Sequence, residues 1–404
     1  MLRSSPSRDD RAQVPGDAFP WTIALAGALC MAVVMGLGRF FYTPVLPAMM
    51  SDLEMGPADA GFIASANYLG YLLGSFAAAY GWAEGIERRM VLFGLAMTAA
   101  LLALMGLGSD VMVLSLVRLL AGIVSALVMV FSTALVLSAG PVSRRDDVQS
   151  SHFGGVGIGI AGSALLFAAL IYAGGGWRTA WFAAAVLALL SILPVARYLP
   201  SRVLRQGTSH REPRLVWTPR LIALMLAYGI FGFGYIVTAT FLVAIVREAG
   251  GSSSFEILVW LVTGLAGVPS VALGALAARR FGKVRTIVWA CLIEAVGVTA
   301  SVLLPLPAGP LIGGVMLGGT FILITAQGLQ ASRILAPESP RRVLATMTVA
   351  FSIGQILGPL VAGGLAQLTG NYVLASLSAV AALLMSAALY AAGLRDADVA
   401  VGRS

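Results

Sequence analysis

Arg39, Arg118 and Glu294 stand inside long apolar runs of the chain, where a charge has little water to solvate it. An arginine at the centre of a bilayer costs about 2.5–3.5 kcal/mol on insertion scales, so one that is retained faces a cavity or a partner. Arginine also grips carboxylates through a planar two-pronged fork that lysine cannot copy. Anion binding is therefore the chemistry these two arginines offer. Glu294 is the one carboxylate well inside a run, near the middle of 286–304. Burial favours the neutral form of a carboxyl group, so Glu294 is a candidate carrier of a coupling proton. A structural hydrogen bond or a protonated acid facing lipid is the competing reading.

Arg39 comes late in the run 21–46 and Arg118 early in the run 111–139. If the first run crosses outward and the fourth inward, both lie at similar depth in the outer half of the membrane. Asn67, early in the run 61–83, shares that level. Tyr42 follows Arg39 by three residues and Tyr71 follows Asn67 by four, which puts each on its neighbour's helical face. These five side chains, at one level, are the first-half candidates for contact with a solute. For Arg118 the alternative is a purely structural tie to carbonyls of the first run. Gln327, Gln330 and Gln355 are the polar candidates of the second half. His152, at the mouth of the fifth run, and His210, in a polar stretch, read as solvated.

Other chemistries lack their machinery. No Ser/His/Asp, Cys/His or paired-carboxylate set is present, so an enzyme is not expected. No Gly-x-x-x-x-Gly-Lys-Ser/Thr loop occurs, which disfavours an ATP-driven pump. Gly157-Ile-Gly159-Ile-Ala-Gly162 has the spacing of a dinucleotide fingerprint, but it lies inside an apolar run with no strand before it. Close helix packing is the better reading. Cys30 and Cys291 also lie in apolar runs and read as core. No cofactor or metal is expected.

The elements that must position these residues are membrane helices. Hydrophobic residues make up 59% of the chain and charged ones 11%, against about 25% charged in a soluble domain. Twelve apolar runs, from 21–46 to 372–394, reach the length of about 20 residues that a spanning helix needs. They leave no room for a soluble domain. Of the 26 basic residues, 22 sort to alternate gaps between these runs. They cluster at Arg3 to Arg11, Arg88 and Arg89, Arg144 and Arg145, Arg197 to Arg220, Arg279 to Arg285, Arg333 to Arg342, and Arg395 to Arg403. Those are alternate gaps. The other gaps hold Arg178 and Arg247 alone, and Arg39 and Arg118 lie inside runs. Positive-inside sorting produces such a comb when both termini are cytoplasmic. The net charge of +8 is then topogenic, meeting anionic lipid rather than nucleic acid. Residues 1–19 carry no apolar core of a signal peptide and read as a cytoplasmic tail, like 395–404. A polar linker at 200–219 divides the chain into six-run halves, 20–199 and 220–394. A shift of 201 residues brings Gly157, Ala161 and Gly162 onto Gly358, Ala362 and Gly363, and Gly81 onto Gly282. Two halves in the same orientation make a parallel repeat.

Several segments resemble the major facilitator superfamily. Gly74-Ser-Phe-Ala-Ala-Ala-Tyr-Gly81 keeps the glycine spacing of its loop motif, with Ala78 and Ala79 in the acidic and basic slots. Arg280-Phe-Gly282-Lys283-Val-Arg285 matches the basic end of the same motif, with Arg279 in the acidic slot. Val117-Arg118-Leu-Leu-Ala-Gly122 is similar to the helix-4 arginine motif, and Gly354-Gln355-Ile-Leu-Gly358-Pro359 to the glycine-proline motif usually quoted for helix 5. Gly36-Leu-Gly38-Arg39-Phe-Phe-Tyr42-Thr-Pro44 and Ser65-Ala-Asn67-Tyr68-Leu-Gly70-Tyr71 resemble the YbfB/YjiJ branch. The resemblance implies an all-α integral membrane fold, with twelve transmembrane helices in two pseudo-symmetric six-helix bundles around a cavity. It implies a secondary active transporter of a small solute, which the two arginines would make anionic, with a proton as coupling ion. It also implies a gating role for Gly81, Arg280, Gly282, Lys283 and Arg285. The expected setting is a bacterial inner membrane, and the expected working unit a monomer. A non-transporting receptor or a membrane-embedded enzyme on the same scaffold is the alternative.

Overall fold

A computed structural model of the chain describes residues 21–80, 82–139, 145–203 and 212–393. Gly81, both tails, and positions 204–211 of the linker with His210 lie outside the described residues. The described residues form twelve helices long and apolar enough to cross a membrane, and no strand. In chain order they are α1 (Trp21–Asp52), α2 (Pro57–Ala79), α3 (Glu87–Leu107), α4 (Val111–Ser138), α5 (Arg145–Tyr172) and α6 (Trp177–Tyr198). The second six are α7 (Pro219–Glu248), α8 (Ser253–Phe281), α9 (Lys283–Leu303), α10 (Ala308–Leu335), α11 (Pro340–Thr369) and α12 (Val373–Gly393).

Local sequence sets the ends. Asp110 caps α4 by accepting from the N–H groups of Met112 and Val113, and Thr218 and Ser252 cap α7 and α8 in the same way. Gly282 alone separates α8 from α9, at a φ of 91°. Only glycine takes that conformation cheaply, which is why it ends the turn. Large apolar side chains such as Leu116, Leu190, Leu276 and Val296 remain exposed. On a soluble protein that surface would be a liability, whereas on a multi-pass membrane protein it meets acyl chains.

Within the first bundle α2 packs on α4 and α3 on α6, and within the second α7 packs on α11 and α9 on α10. The bundles meet along α5 with α8, α2 with α11 and α1 with α7. Gly157 explains the first of these seams. A Cβ there would collide with the backbone of Gly264, Gly267 and Val268 on α8, so the fingerprint-like run is a packing surface.

The two ends of the seam differ. Toward the face where α1 ends, Ser65 Oγ donates to the Ile356 carbonyl at 2.8 Å and Thr43 Oγ1 to the Ala239 carbonyl at 2.7 Å. These bonds join the bundles. Toward the face where α1 begins, a cavity of about 380 Å³ lies between them. Its walls include Tyr71, Met129 and Thr133 from the first bundle and Gln330, Arg333 and Arg341 from the second.

Candidate functional site

Helix α1 is irregular where it matters. Ala32–Phe40 is π-helical, a geometry that occurs often at functional positions. Pro44 follows and has no N–H to return to the preceding turn. Arg118 on α4 bonds to this segment. Its Nη1 donates to the Gly38 carbonyl and its Nη2 to the Arg39 carbonyl, both at 2.9 Å. Asn67 on α2 extends the tie, with Nδ2 donating to the Arg118 carbonyl at 2.8 Å. Tyr42 lies under the Arg118 guanidinium, 5.0 Å from ring centre to Cζ, and its hydroxyl donates to the Ala60 carbonyl at 3.1 Å. Arg118, Asn67 and Tyr42 thus knit α1, α2 and α4 together. Arg118 is 1% exposed.

Arg39 is equally buried, 3% exposed, but its surroundings are different. Its Cζ lies 4.5 Å from the ring centre of Tyr68 and 4.6 Å from that of Tyr71. Two tyrosine faces therefore stabilise the charge. Neither its Nε nor its Nη2 has a hydrogen-bond partner among the described residues. Those two nitrogens form one edge of the guanidinium. Arg247 presents the same edge to Glu256, with Nε to Oε1 at 2.6 Å and Nη2 to Oε2 at 2.8 Å. Tyr71 connects Arg39 with the cavity: its ring lies beneath the guanidinium and its hydroxyl contacts Met129 Sδ at 3.1 Å.

The second bundle faces this group with rings and amides. Tyr228, Phe231 and Tyr235 on α7, Phe321 on α10 and Phe351 on α11 stack on one another. Phe321 reaches Phe40 across the seam, centroids 5.8 Å apart and edge-on. Gln355 Nε2 donates to the Tyr235 hydroxyl, and Gln355 Oε1 has no partner. Gln327 is buried with its Oε1 also unpartnered, while Gln330 lines the cavity and accepts from Lys283 Nζ at 3.2 Å.

Glu294 faces neither lipid nor the described cavity. It is fully buried between α9 and α10, where its Oε2 is 2.8 Å from Thr320 Oγ1. His152 is likewise no solvated group: it is buried on α5, with Nε2 2.9 Å from Thr133 Oγ1 on α4. Helix α5 crosses α1 and α4 there, which puts its ring inside the bundle. Of the loop residues, Arg280 and Arg285 are exposed, with Arg280 lying over the Phe281 ring, and Lys283 is tied to Gln330. Sequence reasoning did not single out Tyr68 or the stacked rings. The spacing of Tyr228, Phe231 and Tyr235 marks one face of α7 and was the available signal.

Residues 31–391 match the family described as uncharacterised MFS-type transporter YbfB. The chain belongs to this family. It is a major facilitator transporter, a multi-pass membrane protein that carries small molecules. The MFS-type transporter YceJ of Bacillus subtilis (strain 168) is 24% identical to it over 365 residues, covering 84% of this chain and 88% of that one. The putative transporter YgaY of Escherichia coli is 27% identical over 191 residues, 46% of this chain and 47% of its own length. A bacterial homologue of the human lysosomal transporter Spinster, inward-facing and unoccupied, superposes with a TM-score of 0.70 at 16% identity, covering 94% of this chain and 98% of that one. A variant of the nucleoside transporter NupG does so at 0.71 and 12%, covering 92% and 99%. At such identities the structural likeness establishes the fold alone.

Proposed function

We propose that this transporter moves a small carboxylate-bearing solute by alternating access, with Arg39 taking the anion and a proton as the coupling ion. The observation that carries the reading is the unpartnered Nε–Nη2 edge of Arg39. Tyrosine faces stabilise its charge but accept none of its N–H bonds. A buried cation with two unmet donors is costly in low dielectric, and a solute carboxylate supplies the partner. Arg118, Tyr42 and Asn67 hold the helices that present it, and Tyr71 stands between it and the cavity. Gln327 and Gln355 offer hydrogen bonds from the facing wall. Rocking of the bundles, 20–199 against 220–394 about the linker 200–219, exposes the site to each side in turn.

The geometry around Thr320 supports Glu294 as the proton carrier. The single Thr320 hydroxyl proton has three acceptors in reach, Glu294 Oε2 at 2.8 Å and the carbonyls of Met316 at 2.6 Å and Leu317 at 3.3 Å. If Glu294 is protonated, it donates to Thr320, which donates to Met316, and both hydroxyl protons have an acceptor. Proton loss breaks that chain and perturbs α10, the helix that carries Phe321 and Gln327. The setting is a bacterial inner membrane with the cavity and both termini on the cytoplasmic side, as the comb of basic residues argues. Lys283, anchored on Gln330 beside the cavity and flanked by Arg280, Gly282 and Arg285, controls the cytoplasmic gate more than the first-half loop ending at Gly81. The working unit is the monomer.

Binding to the purified transporter in nanodiscs, read by thermal stabilisation, tests the central claim. Small carboxylates are expected to stabilise the wild type and to lose that effect in Arg39→Ala. Stabilisation by neutral or cationic solutes that survives Arg39→Ala overturns it.

A further inference from the structure

The stacked rings of the second bundle meet the first bundle beside Arg39, where Phe321 touches Phe40. Tyr235 lies in the middle of the array. It is nearly parallel to Phe321 and to Phe351, at 7° and 9°, with centroids 5.6 Å away in each case. Phe231 continues the array at 5.2 Å and 19° from Tyr235, and Tyr228 stacks on Phe351 at 4.8 Å and 23°. Three helices of the second bundle thus present flat faces in one orientation, and the edge-on contact of Phe321 with Phe40 brings the array to the residue beside Arg39. Gln355, one helical turn beyond Phe351, borders the array through its bond to the Tyr235 hydroxyl. Its Oε1 is buried without a donor. A buried amide oxygen with no donor is unfavourable unless something supplies one.

We infer that the solute is an aromatic carboxylate bearing a ring hydroxyl or amino group. Its carboxylate takes the Nε–Nη2 edge of Arg39, its ring joins the parallel faces of Tyr235, Phe321 and Phe351, and its donor meets Gln355 Oε1. The slot opens when rocking separates Phe40 from Phe321, which lie on opposite bundles. Rings stack on rings in preference to aliphatic bodies of the same size because flat faces and quadrupoles match. The inference rests on the anion reading of Arg39 and adds the body of the solute to it.

Four probes on the full chain in nanodiscs separate the two: benzoate, 4-hydroxybenzoate, cyclohexanecarboxylate and benzyl alcohol, titrated calorimetrically. Benzoate is expected to bind about tenfold more tightly than cyclohexanecarboxylate, 4-hydroxybenzoate more tightly still, and benzyl alcohol not measurably. Phe321→Leu, checked for an unchanged melting temperature, is expected to erase the preference of benzoate over cyclohexanecarboxylate while leaving the carboxylates bound. Equal binding of benzoate and cyclohexanecarboxylate to the wild type overturns the aromatic inference and leaves Arg39 as an anion site. Benzyl alcohol binding as well as benzoate, or no carboxylate binding at all, overturns both. The wild-type series decides the matter even if Phe321→Leu does not fold.

Discussion

Arg39 and Arg118 are two buried arginines of one bundle, and their hydrogen bonding differs. Arg118 spends both terminal nitrogens on carbonyls of α1. Arg39 keeps an edge free between two tyrosine rings. Burial does not separate them, since both are almost fully covered. What separates them is which donors remain unmet. Arg118 also has a buried Nε without a partner among the described residues, so the difference lies in the terminal nitrogens, both bonded in Arg118 and Nη2 unbonded in Arg39. A contrast also divides the two bundles. The first carries the two buried arginines, and the second carries stacked rings and unpartnered amide oxygens.

The largest effect tests that division directly. Arg118→Ala removes two charge-assisted bonds and strands two buried carbonyls, so it is expected to destabilise the transporter by about 3 kcal/mol or more. Melting in detergent should show a clear drop, with low yield. Arg39→Ala is expected to melt close to the wild type, because it gives up only cation–π contacts worth about 1–2 kcal/mol. It should nevertheless lower affinity for a carboxylate solute by about thirtyfold or more, measured by binding. If the two variants exchange these phenotypes, the division is wrong.

Arg39→Lys sharpens it. The charge survives and the fork does not, so affinity should fall by about tenfold, less than in Arg39→Ala. Equal affinity for Lys and Arg at this position would reduce the site to a point charge. Glu294→Gln keeps the Thr320 contact and removes the proton. Uptake into proteoliposomes should lose its response to a pH gradient, while solute exchange at equal pH continues. Exchange lost together with the gradient response would make Glu294 a structural residue. The smallest effect belongs to the gate. Lys283→Ala should slow transport about two- to fivefold through loss of one partly exposed bond to Gln330. Ala79→Asp, at the end of α2 before the first-half loop, should change it less. Equal loss from both would remove the proposed asymmetry between the loops.

Much of the fold was legible in the chain. Runs of apolar residues predict twelve spanning helices because a bilayer leaves the backbone no other partner than itself. The comb of arginines even locates its own exceptions. Arg178 and Arg247, the two bases in the wrong gaps, each face a carboxylate, Asp52 at 3.6 Å and Glu256 at 2.6 Å. The candidate site was legible in part. Arg39, Arg118, Asn67, Tyr42 and Tyr71 were expected together, and they do gather around α1, α2 and α4. Their separate duties were not visible, because the acceptors of Arg118 are backbone carbonyls, which every residue carries alike. His152 was misread as solvated for a related reason, since its position near a helix end says nothing of the neighbouring helices that cover it.

The amino-acid sequence by itself determined the membrane class, the number of helices, the family and the presence of costly charges in apolar surroundings. These follow from composition and spacing, which act through solvation and hydrogen-bond satisfaction residue by residue. The tertiary structure alone decided which donors of Arg39 stay free and that Glu294 meets Thr320. It also decided that rings from α7, α10 and α11 align opposite the first bundle. Those facts depend on where helices distant in the chain cross, and no local pattern encodes a crossing.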